Sequence, residues 1–127
     1  MNLPKLLIFH AVVTLAAGMV LIIAPSAIPQ TVDLEIQPGQ FLLCYFLAAA
    51  EFALAYLSFF SRNIKDPAVL RLVTITLIIF HGATLLLELL ALNNGLSLKI
   101  MVNIAARIII IAFFYFYGFV KLSKTQV

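Results

Sequence analysis

Six polar side chains in this sequence sit where apolar ones are expected. Glu51, His81, Glu88 and Arg107 are ionisable, His10 and Asn103 accompany them, and all six lie within long apolar runs. Inside a membrane span such groups cost a few kcal/mol each, so they face a bundle interior or a cavity and take partners there. Helical spacing collects them into stripes. Thr74, His81, Thr84 and Glu88 share one face, continued by Arg71, and Lys99, Asn103 and Arg107 follow at four-residue steps. Cys44, Ala48, Glu51, Ala55 and Ser58 form a small and polar stripe, and His10, Thr14 and then Ala17 or Gly18 form another. Each run thus has one face suited to an interior and a remainder suited to lipid.

Depth sets which of these groups can meet. At 1.5 Å per residue, Glu51 lies about 16 Å, Arg107 about 14 Å and Glu88 about 6 Å from the loop-side ends of their runs. Side chains lean toward their helix N-terminus, which aims Arg107 at either carboxylate, and its planar fork is suited to serving both. His81 falls near the level of Glu51. The expected centre is therefore Glu51, His81, Glu88, Asn103 and Arg107, with His10, Thr14 and Thr84 as secondary polar groups. Two carboxylates against one arginine leave one negative charge in excess. A proton on a carboxyl, a charge on His81 or a bound cation would neutralise it, and each makes the site responsive to pH or to a ligand. Equally, buried Arg–Glu pairs often do no more than fix helix register.

Other chemistries fit less well. His10 and His81 invite a bis-histidine haem, but counted from Lys5 and Arg71 their depths differ by about 7 Å, although aligning the two helical hairpins would make them level, and intramembrane histidines more often hydrogen-bond neighbouring helices. Glu51, Glu88 and His81 are suitable metal ligands, yet the fixed charge of Arg107 would repel a metal. Cys44 and Ser58 have no histidine at a matching level to activate them. No P-loop, GxGxxG or HExxH is present. Neither a cofactor nor a metal is expected. A membrane redox or lipid-modifying enzyme built on His81 and the two glutamates is the weakest of the readings considered.

The elements that position these groups follow from bilayer thickness. A span needs roughly 20 mostly apolar residues, and four stretches qualify: 3–24, 40–61, 68–92 and 98–120. Pro25 and Pro29 stop the first and Pro38-Gly39 precedes the second. Asp66-Pro67 opens the third as N-cap and first helical residue, Asn94-Gly95 ends it, and Ser97 caps the fourth. The short connections 62–67 and 93–97 make their flanking helices antiparallel neighbours. In the longer loop 25–39, residues 31–37 alternate apolar and polar, which suits an extended segment at the interface. The first run exceeds a signal-peptide core and lacks a clean cleavage site, so it reads as a helix. The fold expected is a single all-α domain, a four-helix bundle running up-down-up-down.

Lys5, Arg62, Lys65, Arg71, Lys121 and Lys124 fall on one side of that bundle and only Lys99 on the other, which places both termini in the cytoplasm. Tyr115, Phe116, Tyr117 and Phe119 would belt the inner interface, with Phe41 and Tyr45 near the outer one. Two short matches hint at duplication. Ile8-Phe9-His10-Ala11 resembles Ile79-Phe80-His81-Gly82, and Ala49-Ala50-Glu51 resembles Ala105-Ala106-Arg107. Both hairpins would run the same way, giving a parallel repeat about an axis along the membrane normal.

Composition agrees. The 127 residues are 65% hydrophobic and only 10% charged, too few charges to cover a water-soluble domain. The net charge of +3 suits flanks beside anionic lipid, not a nucleic-acid groove. One cysteine excludes an internal disulfide or a CxxC site. The lone first-helix glutamate of small multidrug transporters and the Gly-rich N-terminal signature of fluoride channels are both missing. In layout the chain resembles the small bacterial four-helix membrane proteins grouped around the DoxX-like families. The likeness lies in the basic turn 62–67, Gly18 and Pro25 of the first helix, and the third-helix histidine. That resemblance implies a protein of a bacterial cytoplasmic membrane and assigns no site residues. The expected partner is the bilayer itself, with a homodimer or a larger membrane complex around it. The leading expectation is binding or transport of a small polar or protonatable ligand at the Glu/Arg/His centre. The alternative is an accessory subunit whose polar cluster is helix glue.

Overall fold

The computed structural model of the chain describes residues 2–90, 95 and 97–121, and among them it is all-helical. The expected end of the third span at residues 91–92 and Asn94, and the flanking Lys124, lie outside the described residues. Four helices carry the fold: α1 (Leu3–Ile23), α2 (Phe41–Ser61), α3 (Pro67–Leu90) and α4 (Leu98–Tyr115). Each is long and apolar enough to cross a membrane, α2 when joined to its preceding turn and α4 when joined to its following one.

Local chemistry explains the boundaries. Asn2 Oδ1 accepts from the Lys5 amide at 3.2 Å and caps α1, with proline in the first turn. Asp66 Oδ1 accepts from the Ala68 amide at 2.8 Å, so the expected cap of α3 is formed. Ser97 Oγ does the same for α4, accepting from the Ile100 amide at 3.3 Å. Gly95 takes a positive φ of 85°, which only glycine adopts cheaply between two helices. Past Tyr115, α4 widens into a π-helical turn, Phe116–Lys121. One expectation is corrected here. Residues 31–37 are not one extended segment: Pro29–Val32 forms a 3₁₀ turn, Asp33 is left-handed, and only 34–37 lack a turn or helix. Two prolines and a short polar stretch favour that tight turn, which folds the loop back onto the bundle instead of laying it flat.

The helices pack unequally. The α1–α2 contact is by far the most extensive, followed by that of α3 with α4. Gly18 allows the first of these, because a Cβ added there would sit 2.6 Å from the Phe52 ring. Gly18→Val is expected to destabilise by about 1–3 kcal/mol through overpacking. Thermal melting in detergent should show this loss, and Phe52→Leu in the same chain should recover part of it.

Two apolar clusters close the ends. At the end holding the N-terminus and the 62–66 turn, Leu6, Leu7, Leu77 and Phe114 are fully buried together. At the loop end, Leu21, Cys44 and Ala48 are covered by Ile28 and Ile36 of the long loop. Polar groups are buried between and beside them: His10, Thr14, Ser58 and Thr74. Outward, large apolar side chains such as Phe46, Leu72, Ile79 and Val102 are more than 60% exposed. That coverage suits lipid and would be a liability in water.

Candidate functional site

The polar residues of the four stripes meet around a cavity of about 420 Å³ between the two apolar clusters. Its wall includes Glu51, His10, His81, Thr14, Thr84, Asn103 and Arg107, completed by apolar groups such as Phe9, Leu47 and Ile110. A smaller adjoining cavity of about 320 Å³ holds Glu88 and is roofed by Pro29, Val32, Leu34 and Ile36 of the loop. Ile28, Leu47, Thr84, Asn103 and Arg107 line both. A shallower cleft between Gln30, Thr31, Lys99 and Val102 leads to the same Asn103. The chambers therefore share a wall toward the loop end, Phe9 and Val13 at the rim of the larger one are also exposed on the outer face of α1, and the buried Phe114 layer lies toward the other end. Volumes of this size, mainly apolar with a few convergent polar groups, are typical of small-molecule sites.

Within the wall the polar groups divide into two networks and one single residue. In the first network, Asn103 Nδ2 donates to Glu88 Oε1 at 3.0 Å and Arg107 Nε donates to Glu88 Oε2 at 3.2 Å. Arg107 Nη1 also donates to Thr84 Oγ1 at 2.7 Å, and that hydroxyl donates onward to the Phe80 carbonyl. Both Glu88 oxygens are thus engaged, and the ion pair ties α3 to α4. The four-residue spacings that put Thr84 and Glu88 on one face and Asn103 and Arg107 on the other make this network possible.

The second network crosses three helices. His10 Nδ1 lies 2.8 Å from Ser58 Oγ, and His10 Nε2 lies 2.9 Å from His81 Nε2, the rings meeting edge to face. With both rings neutral, only one of the facing Nε2 atoms carries a proton. If His10 donates, its Nδ1 accepts from the Ser58 hydroxyl and His81 keeps its proton on Nδ1. If His81 donates, His10 Nδ1–H donates to Ser58. The chain Ser58–His10–His81 therefore has two proton arrangements of one geometry. His81 Nδ1 is buried and has no partner among the described residues in either.

Glu51 belongs to neither network. It lies at the centre of the inner stripe of α2, between buried Ala48 and Ala55, yet it is only half-buried because the cavity opens in front of it. It makes no hydrogen bond and no close ion pair among the described residues.

Several expectations change accordingly. Arg107 hydrogen-bonds only one carboxylate: two of its nitrogens are committed to Glu88 and Thr84, and it meets Glu51 through space across the cavity, without a hydrogen bond. His10 and His81 are level, not about 7 Å apart in depth, because Lys5 and Arg71 are not at matching depths in the packed bundle. Leu3, Leu6 and Leu7 of α1 pack with Leu70, Val73 and Leu77, which shifts α3 along its axis relative to that count. The same shift in level gives Ser58 a histidine neighbour that counting along the helices denied it. That contact is still no catalytic dyad, since Ser58 is fully buried and its hydroxyl meets no open space. Thr14 lines the cavity but spends its hydroxyl on the His10 carbonyl at 2.8 Å. Phe114 is a member of this region that residue type alone does not single out, since it stands within an aromatic run. Its spacing, seven residues beyond Arg107 on the same face, is the available signal.

The loop that roofs the cavity is pinned to α4. Lys99 Nζ lies 3.2 Å from Asp33 Oδ1 with both side chains exposed. Hydrogen bonds from Ser97 and then from Lys99 hold the Asp33 carboxyl below the usual carboxylate range. A lowered value means the tether is present above the ordinary carboxylate pKa and lost as pH falls through the folded one. The protection factors of the amides of residues 30–33, with the intrinsic pH dependence of exchange divided out, are therefore expected to hold from neutral pH down to about pH 4 and to fall below it. High salt should give a weaker form of the same effect.

No family model, no curated protein and no solved structure matches this chain.

Proposed function

We propose that this is an integral membrane protein that binds, and in its working cycle moves, a small polar or protonatable ligand at the Glu51–His10–His81–Arg107 cavity. One observation carries the reading. His10, His81, Glu88 and Arg107 all have partners within the bundle, whereas Glu51 faces accessible space with its acceptors unused. A carboxylate at mid-bilayer depth with no hydrogen-bond donor from the protein, and with an arginine already paired to another carboxylate, is costly, so a ligand or proton from the cavity is its natural complement.

The proposed topology is up-down-up-down in a bacterial cytoplasmic membrane, with both termini inside. The six-to-one distribution of basic residues supports it, as do the contacts of residue 10 with 58, 18 with 52, 84 with 107 and 88 with 103, which suit antiparallel neighbours. In that orientation the cavity lies beneath the outer loop, and the Phe114 layer stands between it and the cytoplasm. The meeting of His10 with His81 also favours a duplication of the two hairpins, with Glu51 and Arg107 at equivalent places. The layout likeness to DoxX-like proteins fits the same membrane and adds nothing about the ligand.

A second reading has one observation in its favour. The Glu88–Asn103–Arg107–Thr84 network satisfies itself within α3 and α4, as helix glue would in an accessory subunit of a larger complex. The two readings separate on gentle detergent extraction followed by a thermal-shift screen of small amphipathic compounds. Ligand binding predicts a small, discrete particle whose melting responds to compounds in a way that Glu51→Gln removes. Co-migration with a large assembly, with Glu51→Gln and Arg107→Ala altering only stability, would favour the subunit.

A further inference from the structure

The hydrogen-bond donor that Glu51 lacks can be assigned a chemical class. We propose that the cavity takes an apolar-bodied monovalent organic cation, an amine in its ammonium form, held by the Glu51 carboxylate in exchange for a proton. This rests on the cavity being a ligand site, as proposed above, and goes further by naming what enters it.

The charges facing Glu51 from each neighbouring helix decide the sign. From α1 comes His10, hydrogen-bonded to Ser58 and His81; from α3 comes His81, committed to His10. From α4 comes Arg107, whose positive charge is matched at 3.2 Å by Glu88 of α3. With that pair neutral and the histidines neutral, the remaining formal charge is the single negative one of Glu51. In the empty site a proton neutralises it; a monovalent cation can take that proton's place, an anion would add a second negative charge, and a neutral ligand would leave the proton where it is. Arg107 does not forbid such a cation, because the guanidinium and Glu88 act together as a dipole and not as a free charge. A metal ion is disfavoured on separate grounds. It needs several ligands in one shell, and no group of three such side chains comes together among the described residues.

The rest of the wall decides the body. Phe9, Val13, Leu21, Leu47 and Ile110 supply apolar surface around the single carboxylate. A strongly hydrated cation would lose its water there without replacement, whereas an ammonium on a hydrocarbon body buries the body and keeps one charged hydrogen bond. The exchange balances: the ammonium enters carrying its own charge, the Glu51 carboxyl gives up its proton, and that proton leaves to bulk solvent, so one positive charge enters as one departs.

Three probes with one body and different heads test this: 2-phenylethylamine, 2-phenylethanol and 3-phenylpropanoate, titrated calorimetrically into the full chain in nanodiscs. The amine is expected to bind at least about tenfold more tightly than either of the others. Its affinity should rise by about tenfold per pH unit while Glu51 holds its proton in the free site, then level off. Repeating the titration in buffers of different ionisation enthalpy should show one proton released per amine bound on the rising part of that profile and none on the plateau. Glu51→Gln, close in shape, should abolish the preference and the pH slope with little change in melting, and Glu51→Asp should restore the preference in part. Amine binding equal to that of the alcohol, or unchanged in Glu51→Gln, overturns the inference. If the carboxylate probe binds best, the ligand class is wrong while the ligand site stands. If no probe binds and the thermal-shift screen is also silent, both proposals fall.

Discussion

Glu88→Ala is expected to destabilise the protein by about 3–5 kcal/mol, because it strands a charge in the interior instead of merely deleting a contact. Glu88 is the more deeply placed partner, with a side chain 8% exposed against 25% for Arg107. Its two oxygens satisfy both Asn103 and Arg107, so alanine leaves the Asn103 amide and Arg107 Nε without acceptors and the guanidinium without its counter-charge. Glu88→Gln should cost less, since it keeps a carbonyl oxygen for one of the two donors. Replacing both members of the pair, Glu88→Leu with Arg107→Leu, should cost less than Glu88→Ala alone, since no orphaned charge remains. Denaturation in mixed micelles reads all three. A loss under about 0.5 kcal/mol for Glu88→Ala would mean that the cavity hydrates Arg107 well enough to replace its partner.

Phe114→Ala should give the second large loss, about 3–5 kcal/mol. Phe114 is fully buried among Leu6, Leu7 and Leu77, and its ring lies 5.2 Å from that of His10. In lipid little of the cost comes from transfer out of water, so most is lost packing and the void left behind, which favours the lower end of that range. The substitution also has a functional signature. The layer containing Phe114 separates the cavity from the end that holds the N-terminus, so its loss should lengthen the cavity toward that end. Proteoliposomes carrying Phe114→Ala are expected to leak protons faster than those with the unaltered chain, and Phe114→Leu should restore tightness. Equal leakage from all three would show that the closure lies elsewhere.

Much of the site is legible from residue types and spacing. The inner stripes of α1 and α2 can be followed in the sequence down to Thr14, Ala48 and Ser58, all of them buried in the bundle. A polar or small residue at every third or fourth position of an apolar run marks the face that turns away from lipid. The caps at Asp66 and Ser97 are likewise readable, being local hydrogen bonds within three residues. Assembly is less legible. Whether Arg107 pairs with Glu51 or Glu88, and whether His10 meets His81, depends on small axial offsets between helices. The flanking charges give those offsets poorly, since long basic side chains reach the interface from a range of depths. Phe114 is hidden for a related reason. In an aromatic run every ring is equally able to face lipid or core.

What the sequence by itself determined is the set of four apolar helices, their caps and the identity of the polar groups inside them. Composition and helical period act locally and need no knowledge of neighbours. What only the tertiary structure decided is which polar group is left over. Lipid-facing surface is interchangeable along a helix and so sets no register. That register comes from a few close contacts, such as Gly18 against Phe52 and Leu6 and Leu7 against Leu77 and Phe114. Those contacts place Arg107 beside Glu88, close the histidine pair on itself, and leave Glu51 without a hydrogen bond on the wall of an open cavity.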